Sequence, residues 1–246
     1  MFWGVIYEWK YEGVVRNFGD ALHEFLVPDD KRLQWMLSEK YCYFVIGSVI
    51  CNEVIRETLD LGYKPVFINC GWRGEQLNPL LAQRCEFVGA RGPDTQAELA
   101  RLGIEVEITG DPAYKIPSFI EKAPAHGKTI MVPHMKDDFR HAYRAEWFGV
   151  DEVVQPTVTD SQSIIDLIEK ISGADFVFAG AMHAGIIAHA YGIPFAPMST
   201  SFVDCLPKWV DWAKSVDIKN VRFFQQKSQG IEWHKQWVLK QIEEGK

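Results

Sequence analysis

Apolar residues in this chain gather in short runs bounded by turn residues, and most runs are followed by a stretch of helical periodicity. The runs at residues 5–7, 43–46, 65–69, 86–90, 105–109, 129–133, 175–179 and 193–197 predict buried strands. Strands alternating with helices predict a parallel α/β architecture, whose ligands bind beyond the C-terminal ends of the strands.

Two helices have readable ends. In RGPDTQAELARLG, residues 91–103, Pro93 suits the first turn, Asp94 favours the positive end and Gly103 stops the helix. In SQSIIDLIEKISG, residues 161–173, Thr159, Asp160 or Ser161 is the cap and Gly173 the terminator. The stretch 116–128 holds Pro117, Pro124 and Gly127 with little periodicity, so it is the expected linker between an N-terminal lobe, 1–120, and a C-terminal lobe, 121–246. The last segment, GIEWHKQWVLKQIEEGK, reads as an amphipathic helix whose Trp233 and Trp237 pack onto a core. Residues 176–198 contain no Asp, Glu, Lys or Arg, yet His183, His189, Gly192 and Pro194 break them into a buried strand, helix and strand, not a membrane span.

Composition narrows the function. With 246 residues, 47% hydrophobic and 24% charged, the whole chain is expected to fold as one large or two small α/β domains. The net charge of −7 and the absence of a Lys/Arg cluster exclude a general nucleic-acid binder. An anionic ligand would have to be attracted by a few local cations and helix N-termini. The five cysteines, Cys42, Cys51, Cys70, Cys85 and Cys205, lack C-x-x-C spacing and read as reduced thiols of a cytoplasmic protein. The start, MFWGVIYEWK, lacks a basic n-region and reads as a strand, not a signal peptide.

Candidate chemistry sits at the strand ends. NFGDAL, residues 17–22, offers Asn17, a permissive Gly19 and Asp20, although helix capping accounts for them as well. Gly47 and Ser48 close a strand and could present amides and a hydroxyl to a phosphate or carboxylate, or simply build a turn. Arg91 brings a donor fork to the end of another strand, where a salt bridge is the alternative. Gly110 and Asp111 mark a further strand end, where an Asp accepts from a sugar hydroxyl or caps a turn. His134 follows an apolar strand and His183 opens a helix after Gly180, a ligand position in α/β folds; His189, on another face, reads as structural. No His/Cys/Asp group has metal-ligand spacing.

As a set these motifs resemble the polysaccharide pyruvyltransferase family. The matching pieces are NFGDAL (17–22), IGSV (46–49), ARGPDT (90–95) with its following L-x-x-L-G, GDPA (110–113), VPH (132–134) and MHAGIIAHAYGIP (182–194), in family order. The resemblance implies two Rossmann-like lobes of glycosyltransferase-B-like arrangement with the active site in the interlobe cleft. It implies transfer of the enolpyruvyl unit of phosphoenolpyruvate onto a saccharide as a pyruvate ketal, in exopolysaccharide or cell-surface glycan biosynthesis. Phosphoenolpyruvate is then a co-substrate, and no other cofactor and no metal is expected. The resemblance also implies that His183 is the central catalytic residue, and Ala181 stands where many members carry an Arg.

The chemistry gives the other residues expected roles. A donor with a carboxylate and a phosphate asks for a cation and turn amides, expected from Arg91, His134, Gly47, Ser48 and Gly110. Asn17, Gly19, Asp20 and Asp111 are expected near the acceptor or shaping the cleft. A histidine titrating near neutrality can deliver or remove a proton. A lipid-linked acceptor would bring the enzyme to the inner face of the membrane, with Trp209, Trp212, Trp233 and Trp237 as the contact region. Two rivals remain at this level: a nucleotide-sugar glycosyltransferase of the same fold, and a non-catalytic carbohydrate-binding protein using some of its nine tryptophans.

Overall fold

The computed structural model describes residues 16–36, 38–137, 145–199 and 203–244; the expected strand at 5–7 lies outside them. The chain divides into two compact units. One takes Asp20–Pro112 and Cys205–Asp217; the other takes Asn17–Gly19, Ala113–Asp204 and Ile218–Lys246. Both are built on parallel sheets with helices between the strands, so the chain is an α/β protein.

In the first unit the strands β1 (Tyr41–Phe44), β2 (Lys64–Ile68) and β3 (Glu86–Val88) lie side by side in chain order, all parallel. Helix α1 (Asn52–Asp60) joins β1 to β2, and α2 (Pro93–Arg101) follows β3. The register sets Phe44 beside Phe67 and Phe67 beside Phe87, and the rings stack with centroids 4.8 and 5.3 Å apart. Around that ladder Cys42, Ile50, Ile55, Cys70, Leu77 and Leu99 complete the core. The expected strand at 105–109 is not a strand. A single parallel bridge joins Ala90 to Ile108, because Gly89 (φ 78°) and Gly110 (φ 77°) turn the chain out of extended geometry on both sides of the contact.

The second unit has the strands β4 (Thr129–Val132), β5 (Glu152–Val153), β6 (Phe176–Ala179) and β7 (Phe195–Pro197), parallel in the order β5-β4-β6-β7. Helix α3 (Ser161–Ser172) precedes β6, and α4 (Met182–Ala190) connects β6 to β7. Every residue of β4, β6 and β7 is buried, as is α4 from Met182 to Ala188. The uncharged stretch 176–198 is therefore an interior strand, helix and strand. No helix among the described residues is long and apolar enough to cross a membrane.

Helix α5 (Leu206–Ser215) belongs to the first unit and α6 (Lys227–Glu243) to the second. Trp209 and Trp212 of α5 are each 1% exposed, which removes them from the expected membrane-contact region: their rings fill the interior. Trp233 and Trp237 of α6 pack on Phe195 of β7 at 6.2 and 6.1 Å, the core-packing role expected of them. The segment 116–128 is largely irregular, as its prolines require, but it is tied to the second unit. Ala123 N–H donates to Ser172 Oγ (3.1 Å), His126 N–H to Gly173 O (2.9 Å) and Tyr191 OH to Ile120 O (2.7 Å). The division between the units falls earlier, at Pro112.

Candidate functional site

In the first unit the chain leaves β1 and turns at Gly47 (φ 95°), with Asp20 Oδ1 packed 3.1 Å from where a Cβ would stand; the buried Ser48 follows. Arg91, just past β3, sends Nη1 to Ser48 Oγ (2.5 Å), Nε to Asp211 Oδ2 (3.2 Å) and Nη2 to the Lys208 carbonyl (3.2 Å). The Arg91 and Asp211 side chains are 0% exposed. Two glycines make room for the pair: a Cβ on Gly71 would stand 2.0 Å from Arg91 Cζ, and one on Gly92 2.2 Å from Asp211 O.

Asp211 Oδ1 also accepts from the Thr95 amide (2.9 Å) and Oδ2 from the Thr95 hydroxyl (2.8 Å). Arg91, expected to grip an anion, is thus neutralised inside the unit, and an external anion would have to displace Asp211 to reach it. Its Nη1 bond holds the buried Ser48 hydroxyl in place.

Asp111, buried just after Gly110, belongs to the same region. The Cys70 thiol shows the convergence: burial pushes its pKa up, Arg91 draws it down, and Asp111 and Asp20 push it up again. The first unit therefore gathers Asp20, Gly47, Ser48, Arg91, Gly110 and Asp111. Sequence reasoning missed Asp211 and Thr95, and also Arg73, whose Nη1 reaches the Ser48 carbonyl at 3.4 Å from an exposed position. Nothing local marks Asp211, which lies on α5, 120 residues from its partner.

The second unit gathers Asn17, Gly19, His134 and His183. Val132 of β4 is in register with Ala179 of β6, and the Gly180 and Ala181 amides both donate to Val132 O (2.8 and 3.0 Å). This places the Pro133–His134 turn beside the start of α4, where His183 occupies the first turn at 9% exposure. Only a glycine fits at residue 19, because a Cβ there would stand 1.9 Å from His183 Nδ1. Asn17 Nδ2 donates to Met135 Sδ (3.0 Å), and the Phe18 amide donates to Pro156 O (3.0 Å).

His134 Nδ1 accepts from the Lys136 amide at 3.2 Å, while Nε2 lies 3.6 Å from Asp204 Oδ2, a partner not anticipated from the sequence. His189 is structural, as expected: its Nδ1 lies 2.7 Å from Tyr114 OH, and burial first, then His234, pushes its pKa down to about 4. All five cysteines are free thiols. Among the described residues no three His, Cys, Asp or Glu side chains are grouped to hold a metal ion.

The fold and these strand-end groups define an α/β protein whose polar chemistry is concentrated at the C-terminal edges of its sheets, where such folds bind ligands. A family model described as "Polysaccharide pyruvyl transferase" matches residues 7–201, and the chain belongs to that family. It is 29% identical over 211 residues to the succinoglycan biosynthesis protein ExoV of Rhizobium meliloti, which accounts for 82% of this chain. The chain spans 62% of the length of that relative. Among solved structures, a functionally uncharacterised protein of Klebsiella pneumoniae matches with a TM-score of 0.50 at 14% identity over 76% of each chain, a likeness of fold.

Proposed function

We propose that the protein moves the enolpyruvyl unit of phosphoenolpyruvate onto a saccharide as a pyruvate ketal, in exopolysaccharide or cell-surface glycan synthesis, with His183 as a proton-transfer group. Family membership across residues 7–201 supports the reaction class. The observation that carries the residue assignment is the seating of His183: first turn of α4, beside the end of β4, its ring against a glycine that leaves no space for a side chain. That packing fixes the imidazole at a strand edge, as a group that transfers a proton in a defined geometry requires.

On this reading the two units correspond to the Rossmann-like lobes of a glycosyltransferase-B-like protein. The enzyme acts in the cytoplasm on a free or lipid-linked acceptor and needs no cofactor beyond its co-substrate. The Gly47–Ser48 and Gly110 turns supply donor-binding amides and a hydroxyl, and Arg91 supports them by holding Ser48 through its 2.5 Å bond. Asn17, Asp20 and Asp111 keep their acceptor-side or shaping role. The test is incubation with phosphoenolpyruvate and a panel of glycans, with release of inorganic phosphate and a mass gain on a sugar as the expected result. Stabilisation by nucleotide-sugars with indifference to phosphoenolpyruvate would overturn it.

A further inference from the structure

Three consecutive strands of the second unit's sheet lead into polar groups: His134 after β4, His183 after β6 and Asp204 in the segment beyond β7. The Lys136 amide donates to His134 Nδ1 at 3.2 Å, so this nitrogen presents a lone pair and the ring proton sits on Nε2. Nε2 faces Asp204 Oδ2 at 3.6 Å, with side-chain exposures of 9% and 14%. A second ring proton on Nδ1 would point at the Lys136 N–H. The turn is closed by the Asp137 amide donating back to His134 O at 2.9 Å, so that amide does not readily swing away. His134 thus has its Nδ1 lone pair engaged by the Lys136 amide and its Nε2 turned toward the carboxylate, which makes the Asp204 carboxylate, at 14% exposure against 9%, the more accessible acceptor of the two. Among the described residues, Lys136 and Asp137 are the ionisable neighbours on the same loop.

We infer that Asp204 is the general base for the acceptor hydroxyl and that His134 is a positioning residue that orients its carboxylate; this rests on the pyruvyl-transfer reading. In the addition step Asp204 takes the hydroxyl proton, and the sugar oxygen bonds to C2 of the enolpyruvyl group. The carbon–carbon π pair meanwhile takes a proton from the His183 imidazolium, so the methylene becomes a methyl. The protonated Asp204 and neutral His183 then exchange back through solvent. A second hydroxyl displaces phosphate, which leaves as hydrogen phosphate carrying that hydroxyl's proton, so atoms and charge balance. His134 and His183 thereby have unlike tasks although both are strand-end histidines.

The experiment pairs kinetics with nitrogen-15 NMR of the histidine rings. Asp204→Asn should lower turnover by about 10²–10³-fold and remove the acidic limb of the turnover profile. Phosphoenolpyruvate should raise the Tm of that variant as much as that of the wild type. His134→Gln, which keeps an N–H donor, should lose about tenfold or less, a split a proton-transferring His134 would not show. In wild type the neutral His134 ring, read at about pH 8, should be the Nε2–H tautomer. A ring protonated on Nδ1, or an Asp204→Asn variant that keeps more than half of wild-type turnover, overturns the base assignment alone. A wild type that releases no phosphate from phosphoenolpyruvate with any glycan overturns the transfer reading and the assignment with it.

Discussion

The helices α2 and α3 solve one problem in two ways. Each must satisfy the amide of its third residue, and each does so with an aspartate. In α3 the aspartate is Asp160, three residues away: it accepts from Ser163 N–H at 2.8 Å while Ser163 Oγ accepts from the Asp160 amide at 3.0 Å. In α2 the cap position is Gly92, with no side chain, and the Thr95 amide turns to Asp211, 116 residues further along, at 2.9 Å. The first cap is a local device of the helix. The second locks α5 onto α2, and the same carboxylate neutralises Arg91 from within the first unit. The second unit's strand edge instead presents histidines. We therefore expect the Arg91–Asp211 pair to answer mutation chiefly in stability and the second unit's histidines chiefly in turnover.

The largest expected effect tests the second edge. On the proposed reading, His183→Ala should remove about 10²–10⁴-fold of ketal formation while the protein stays folded. His183→Gln, which cannot exchange a proton, should be almost as inactive. Steady-state rates beside thermal melts decide this; substantial activity in the Gln variant would mean that His183 only orients substrate.

Next is the lock of the first unit. Asp211→Ala leaves Arg91 as an uncompensated buried charge and the Thr95 amide without its acceptor, so the expected cost is about 3–5 kcal/mol in denaturant unfolding. Replacing both partners, as in Arg91→Met with Asp211→Leu, should recover a large part of that loss. All five cysteines lie in the first unit, which makes thiol labelling a reporter of its opening alone. Burial pushes Cys42 and Cys85 up to about 12, so at neutral pH both should label slowly in wild type and much faster in Asp211→Ala. Unchanged labelling would show that the ion pair does not hold the unit closed.

The same contrast explains what the sequence could and could not reveal. Many features fixed by neighbours were readable: six of the seven parallel strands to within about two residues, with β5 missed and 105–109 over-read, Pro93 and Gly103 at the ends of α2, and a polar cap for α3. Features fixed across the chain were not. Arg91 looked like an anion grip because its partner lies 120 residues away, on a helix with no local mark of the pairing. Gly19 was noted as permissive, but the reason it must be glycine is a ring at residue 183. The tryptophans of α5 looked available to a membrane because amphipathic spacing does not say which face is covered.

Acid should act on the second unit, which holds six of the seven histidines. The His189 pKa falls to about 4 from 6.5, and that of His234 is also lowered, in both cases chiefly by burial. A base whose folded pKa is depressed contributes stability that is present above its unfolded pKa and is lost as the pH falls from there toward the folded value. Between pH 6.5 and 4 the unfolded chain takes up a proton that the folded one refuses at His189, a loss on the order of 2–3 kcal/mol. His189→Gln keeps an acceptor for Tyr114 OH and removes the titration, so its stability should fall less over this range in urea titrations. An identical slope in wild type and variant would assign the acid sensitivity elsewhere.

The smallest effect bears most directly on the comparison of caps. Asp160→Ala removes one acceptor from the first turn of α3 and opens the reciprocal box, but Ile164, Ile168 and Ile171 stay buried, so packing still holds the helix in place. The expected cost is about 1 kcal/mol, and Asp160→Asn, which can still accept from Ser163 N–H, should cost only a few tenths. Hydrogen exchange should quicken at the first amides of α3 and nowhere in β1, β2 or α2, and thiol labelling of the first unit should be unaffected. Asp160→Ala and Asp211→Ala each delete one aspartate that caps the same amide position, so their difference measures what the second carboxylate does beyond capping. A cost for Asp160→Ala equal to that for Asp211→Ala would leave nothing for the Arg91 pair to explain, and the distinction between a local cap and a tertiary lock would fail.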